Sequence, residues 1–266
     1  MSRIEWAINA LDGVERKASR DTPLHRIDAR AKLLATLLLM LYVLSLGAAE
    51  LPQLVLSCAL PIFLSAWGRV PYGWLFLRSS VVLPFVGLIG IFNLWFERET
   101  AFYIGDFPIA VGWLSFVAIL LRALVTTQLA ILLIVSTGFH RLCVSLRLLG
   151  VPSLLAFQLW FVYRYLFVLL QEALSMERAR ASRSYGRRAY PLKQWGVFVG
   201  QLLLRTVNRS ERIHRAMLSR GFDGTVPMSV RSAWQWQDTR FLLSAFLVMA
   251  LLFFSSAFID VFLTLL

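Results

Sequence analysis

Apolar residues fall along this chain in long runs divided by short polar breaks, not at alternating positions. Runs of that length are the signature of membrane spans. The first covers 31–48, and Glu50-Leu51-Pro52 makes a short turn into a second, 51–67, ended by Gly68-Arg69 and Pro71. A third covers 74–96, with Arg78 placed to snorkel toward headgroups and Pro84 and Gly87 positioned to bend it. A polar loop at 97–108 sets Glu97, Glu99 and Asp106 against Arg98. The fourth span, 111–137, carries Arg122 near its middle, where a charge is costly unless it faces protein or water. The last, 241–263, holds a single charge, Asp260, close to its outer end.

Between 138 and 240 the pattern changes. A short amphipathic segment, 140–149, stops at Gly150-Val151-Pro152. A long helical stretch follows at 153–184, apolar in its first half and charged in its second. A third helix is expected at 192–220. Its apolar stripe is Val199, Leu203, Val207, Ile213 and Met217, while Arg205, Arg209 and Arg212 mark another face, and Gly221 and Gly224 stop it. At the other end of the chain, Ile4, Ile8, Leu11 and Val14 stand at helical spacing up to the break at Thr22-Pro23. The expected class is therefore an all-α integral membrane protein with about five transmembrane helices and a cytoplasmic module of long amphipathic helices. Its parts are an amphipathic segment at 1–30, four spans within 31–137, the helical module at 138–240, and a final span at 241–266.

Composition and charge sharpen that picture. The chain has 266 residues, 58% of them hydrophobic and 16% charged, and a mean hydropathy of +0.68. A soluble domain of this length needs more polar surface. Residues 1–32 are charged throughout, so no cleavable signal peptide is expected. The net charge of +12 is read as the positive-inside bias of a membrane protein and not as a nucleic-acid surface, since no recognition module accompanies it. The apolar part of the middle helix, 152–170, is long enough for a sixth span. Were it to cross, the basic residues from Arg178 to Arg231 would lie outside, against that bias. Five spans put the N-terminus and the basic module in the cytoplasm and the acidic loop outside.

Two segments of the basic module repeat each other. Arg178-Ala179-Arg180-Ala181-Ser182-Arg183-Ser184-Tyr185 and Arg215-Ala216-Met217-Leu218-Ser219-Arg220-Gly221-Phe222 agree at six of eight positions by class, and each stands at the end of an expected helix. A helix cap accounts for either alone. Two matched copies suggest docking heads: small neighbours leave Arg183 and Arg220 uncovered for bidentate bonds to a partner, with Tyr185 and Phe222 as anchors. Two equivalent heads imply two equivalent partner surfaces.

At these residues the chain resembles the transmembrane T component of energy-coupling-factor (ECF) transporters, importers powered by paired ATP-binding-cassette ATPases. The family's N-terminal stretch stands here as Leu24-His25-Arg26-Ile27-Asp28-Ala29-Arg30-Ala31-Lys32-Leu33, and its two small-Arg-small motifs as Ser182-Arg183-Ser184 and Ser219-Arg220-Gly221. The segment 141–152 looks like its first coupling segment. Serine precedes each arginine where alanine is common in the family. The resemblance implies a non-catalytic subunit that transmits the motion of two ATPases to a separate substrate-capture membrane protein. ATP and magnesium would be bound by the partners, with no cofactor or metal held by this chain. Length and the amphipathic extension look most like the cobalt-transport members, called CbiQ, with nickel, or a vitamin such as biotin, as the alternative cargo. His25, His140 and His214 lie in separate segments, so no metal-ligand cluster is expected, and Cys58 and Cys143 read as packing residues.

A membrane-embedded enzyme would need paired carboxylates, a Ser/His pair or a metal set at membrane depth, but the spans offer Arg78, Arg122, Asp260 and isolated hydroxyls. An autonomous transporter would show inverted repeats or paired broken helices. The repeat found lies outside the spans.

Overall fold

The computed structural model describes residues 23–47, 50–96, 100–104, 107–183, 192–224 and 234–265, together with Glu5 and Gly13. It is an all-α membrane protein carrying one short hairpin. The chain divides into two compact units. One combines residues 17–138 with 232–266; the other combines 1–16 with 139–231.

The first unit is the apolar bundle. After one helical turn at Pro23–Arg26 come α1 (Ala29–Ser45), α2 (Leu51–Ser57), α3 (Ala59–Trp67), α4 (Tyr72–Ser79) and α5 (Leu83–Phe96). An antiparallel hairpin, β1 (Thr100–Ile104) and β2 (Phe107–Ala110), follows where a plain polar loop was expected. The unit continues with α6 (Val111–Thr137) and ends with α10 (Trp236–Leu265). Prolines explain why two expected spans are broken. Pro61 lies in the first turn of α3 and Pro84 in that of α5, where the missing N–H falls on a donor the helix leaves unpaired anyway. The chain therefore restarts at Cys58 and, through the 3-10 turn Ser80–Val82, ahead of Pro84.

The bundle's core joins Leu39, Tyr42, Val43 and Leu46 of α1 and its end to Leu54 of α2, Val125 and Leu129 of α6, and Leu252 of α10. Gly90 lets α5 approach α6 closely, since a Cβ there would stand 2.7 Å from the Phe116 ring. On the outside, large apolar side chains such as Leu77 and Phe85 are 73% and 70% exposed. That inversion suits lipid and is unfavourable in water.

By length and composition, 72–93, 112–137, 153–183 and 236–254 could each cross a membrane. The first, second and last coincide with expected spans. The expected first span is the 17-residue α1, and the expected second is the α2–α3 pair over Leu51–Trp67. The stretch 153–183, assigned by sequence to the cytoplasmic module, is long and apolar enough to cross.

Arg122 faces protein, as its cost in lipid requires. Its Nη2 donates to the carbonyl of Leu46, the C-cap of α1, so the charge satisfies an acceptor that the helix end leaves open.

The second unit holds α7 (Phe139–Leu148), α8 (Ser153–Arg183) and α9 (Leu192–Leu218). Phe139 stacks on Tyr163 at 4.3 Å and His140 meets Trp160 edge-on at 5.7 Å, fixing α7 along the first half of α8. Cys143 of α7 is fully buried, and burial pushes its thiol up to about 11.

Candidate functional site

α8 and α9 run antiparallel. Phe157 meets Phe222 at 6.5 Å, Glu172 pairs with Arg205, and Arg180 bonds Gln194 at 3.3 Å, so later positions on one helix meet earlier positions on the other. Arg183 ends α8 and Arg220 follows the end of α9. From Phe157, beside the second motif, to Arg183, α8 rises about 39 Å at ~1.5 Å per residue. The two motif arginines therefore stand at opposite ends of one helix pair.

The two copies share their local geometry. In the first, Ser182 Oγ donates to the carbonyl of Arg178 at 3.1 Å. In the second, Ser219 Oγ donates to the carbonyl of Arg215 at 2.9 Å. Each serine thus closes on its own helix four residues back and presents little but bulk. The leading arginine of each copy is ion-paired, Arg178 with Glu5 at 3.0 Å and Arg215 with Glu211 at 3.1 Å. Arg183 and Arg220 are exposed, and neither makes an ion pair among the described residues. In the first repeat Arg178 and Arg180 are engaged and in the second Arg215 is, which leaves the last arginine of each copy without an ion pair among the described residues.

The end of α9 shows how the second head is set. Gly221 takes a left-handed φ of +77°. Its N–H reaches Leu218 O at 3.0 Å, and Phe222 N–H reaches Met217 O at 3.1 Å. This paired closure satisfies the last carbonyls and projects Arg220 from the C-cap position. Phe222, expected as an anchor for a partner, is half-buried against Phe157 and serves first to hold the cap onto α8. Ser184 and Tyr185 of the first motif, and the side chain of Asp260, lie outside the described residues.

The expected apolar stripe of α9 is split. Ile213 and Met217 are half-buried, while Val199, Leu203 and Val207 are 54%, 62% and 46% exposed. Phe198, Gly200, Leu202 and Thr206 are the half-buried positions in that part of the helix.

The N-terminal stretch that carried the resemblance forms a buried lock within the bundle unit. Asp28 caps α1 by accepting from Arg30 N at 2.9 Å. Its own N–H donates to Asp238 Oδ1 at 2.7 Å, and the other oxygen of Asp238 accepts from Gln235 N at 2.7 Å. Arg30 lies over the Trp234 ring at 5.8 Å. Lys32, 2% exposed, donates from Nζ to Ser136 O at 2.8 Å, near the C-terminal end of α6. Leu24, Ile27, Ala31 and Ala35 pack with Phe241 beneath. Asp238 was not singled out from the sequence. The signal was there: a carboxylate three residues into a helix, just ahead of an apolar run, is a capping pattern.

Residues 20–231 match the family described as CbiQ, cobalt transport protein. The chain belongs to this family. It is a membrane transport protein, and the CbiQ match covers the N-terminal side of the lock and both arginine motifs. Among individual relatives, an uncharacterized protein of Methanocaldococcus jannaschii is 27% identical over 239 residues, covering 86% of this chain and 81% of its own. The nickel permease LarQ of Lactiplantibacillus plantarum is 28% identical over 182 residues, covering 63% of this chain and 67% of its own.

Proposed function

We propose that this CbiQ-family chain is the energy-coupling subunit of an ECF-type importer for a divalent transition-metal ion. Two cytoplasmic ATPases dock on Arg183 and Arg220, and the antiparallel helix pair carries their ATP-driven closure to a substrate-capture membrane subunit. The chain itself hydrolyses nothing; ATP and magnesium belong to the ATPases. The observation that carries this reading is the matched geometry of the repeat: a closed serine, an engaged leading arginine, and an open last arginine, at both ends of one helix pair. Identical heads far apart suit two identical partners. The exposed Val199, Leu203 and Val207 supply apolar surface for assembly. The family description supports cobalt as cargo, and the relative named as a nickel permease supports nickel as the alternative.

In this reading the chain lies in a bacterial inner membrane with α8 and α9 on the cytoplasmic side. Although 153–183 is long enough to cross, its second half carries Arg178, Arg180 and Arg183, and the basic residues of α9 follow. Retention of that charge inside favours α8 lying against the membrane surface.

The test is uptake in cells together with co-purification of the ATPases. Losing one partner of a buried, charge-paired arginine contact costs about 2–5 kcal/mol at an interface. Arg183→Ala and Arg220→Ala should each weaken ATPase retention, and the double variant should abolish it and uptake together. Arg205→Ala and Arg209→Ala should retain the ATPases. Normal uptake in the Arg183/Arg220 double variant would return both motifs to plain helix caps.

A further inference from the structure

A groove of about 250 Å³ runs between α8 and α9, away from both motif ends. Its wall is basic: Arg205, Arg209 and Arg212 lie on one face of α9, against the single carboxylate of Glu172 on α8. Arg205 is taken by Glu172. Arg212 returns Nε to the carbonyl of Asn208 at 3.3 Å and makes no ion pair among the described residues. Arg209, exposed, makes neither a hydrogen bond nor an ion pair among the described residues. Two guanidiniums one turn apart repel each other, and nothing in the groove offsets the second and third positive charges.

We infer that this groove binds a phosphate-bearing anion, the headgroup of an acidic phospholipid or a free phosphate, with Arg209 and Arg212 as its forked donors. Guanidinium forks match phosphate oxygens in geometry as well as charge. The Asn208 carboxamide lines the same groove and offers a further donor. Val168 and Leu169 form an apolar wall beside the charges. An inorganic anion has no use for such a wall, whereas the glycerol and first methylenes of a lipid do. α9 has the matching form, arginines on one face and exposed Val199, Leu203 and Val207 on another, as helices lying in a headgroup layer have. The inference concerns a site apart from the two motif arginines and does not depend on what those arginines dock.

The full chain, purified in neutral detergent, would be titrated with short-chain phosphatidylglycerol, phosphatidylcholine and inorganic phosphate, and the bound species counted by native mass spectrometry. Phosphatidylglycerol should be retained over phosphatidylcholine, and retention should fall as salt rises. Arg209→Gln/Arg212→Gln should weaken it about tenfold or more, with Arg209→Lys/Arg212→Lys in between. Arg178→Gln/Arg180→Gln removes the same charge nearer the C-terminal end of α8, outside the groove lining, and should leave it unchanged. Displacement of the lipid by inorganic phosphate at similar concentration would assign the site to free phosphate, and failure to displace it would assign the site to lipid. Unchanged retention in the Arg209/Arg212 variant, or an equal loss in the Arg178/Arg180 variant, would overturn the inference.

Discussion

Asp238→Ala is the change that most directly tests the lock on the N-terminal stretch. The carboxylate is 2% exposed and accepts two backbone N–H groups, those of Asp28 and Gln235, each at 2.7 Å. One bond caps α10; the other ties the capping residue of α1 to it across 210 positions of sequence. Hydrogen bonds to a charged group contribute about 1.5–3 kcal/mol each, and alanine leaves both donors buried and unmet. The expected loss is about 3–5 kcal/mol. For a chain of this size that is a fall in Tm on the order of 10 °C. The assay is the monodisperse fraction recovered by size exclusion after heating the detergent-purified protein. Asp238→Asn should lie between wild type and alanine, because its one carbonyl oxygen can replace only one of the two acceptor oxygens. A Tm for Asp238→Ala within about 2 °C of wild type would mean that the lock does not hold α1 to α10, and that Phe241 packing alone suffices.

Three further outcomes are expected. Gly221→Ala should cost about 1–2 kcal/mol through its φ of +77° and impair ATPase retention, while Gly221→Asn, which tolerates that conformation, should restore most of it; equal retention in both would detach Arg220 from its cap. Ser182→Ala/Ser219→Ala should leave uptake within about twofold of wild type, because both hydroxyls are satisfied within their own helices; a large loss would make the hydroxyls contacts to the partner. Cysteine-accessibility labelling should find the 97–108 segment outside and the vicinity of Arg188 inside, and labelling of both from one side would refute the proposed topology.

The apolar runs made three of the expected spans legible, since membrane helices are written in composition and length, but the stretch 153–183 is also long and apolar enough to cross. The breaks within them were not legible, because a proline in a run can either bend a helix or restart one, and only the packing of α3 and α5 decides. The cost of Arg122 in lipid was readable, but not its acceptor, which lies 76 positions away at Leu46. The hairpin at 100–110 was missed because its short strands sit in a stretch marked by charge and turn residues rather than by alternation. The arginine repeat was visible as letters. What separates its members, an ion pair on the leading arginine and none on the last, depends on Glu5 in one copy and Glu211 in the other. One of those carboxylates lies one helical turn away and the other lies 173 positions away.

That difference bears on how the two heads could behave as equals. An ion pair at exposed side chains contributes little, so neither Glu5 nor Glu211 is there chiefly for stability. Each occupies the leading guanidinium of its repeat, and Gln194 holds Arg180, which stands between Arg178 and Arg183. If the motif arginines dock as proposed, an unengaged arginine at position 178 or 215 would compete with them for the same partner carboxylate, in a second and incorrect register. The serine bond to the same residue's carbonyl fixes the helix at that point and leaves one open guanidinium per end. Specificity of this kind comes from removing the alternative contact as much as from making the intended one. It needs the same local outcome at both ends of the helix pair, and unrelated carboxylates deliver it.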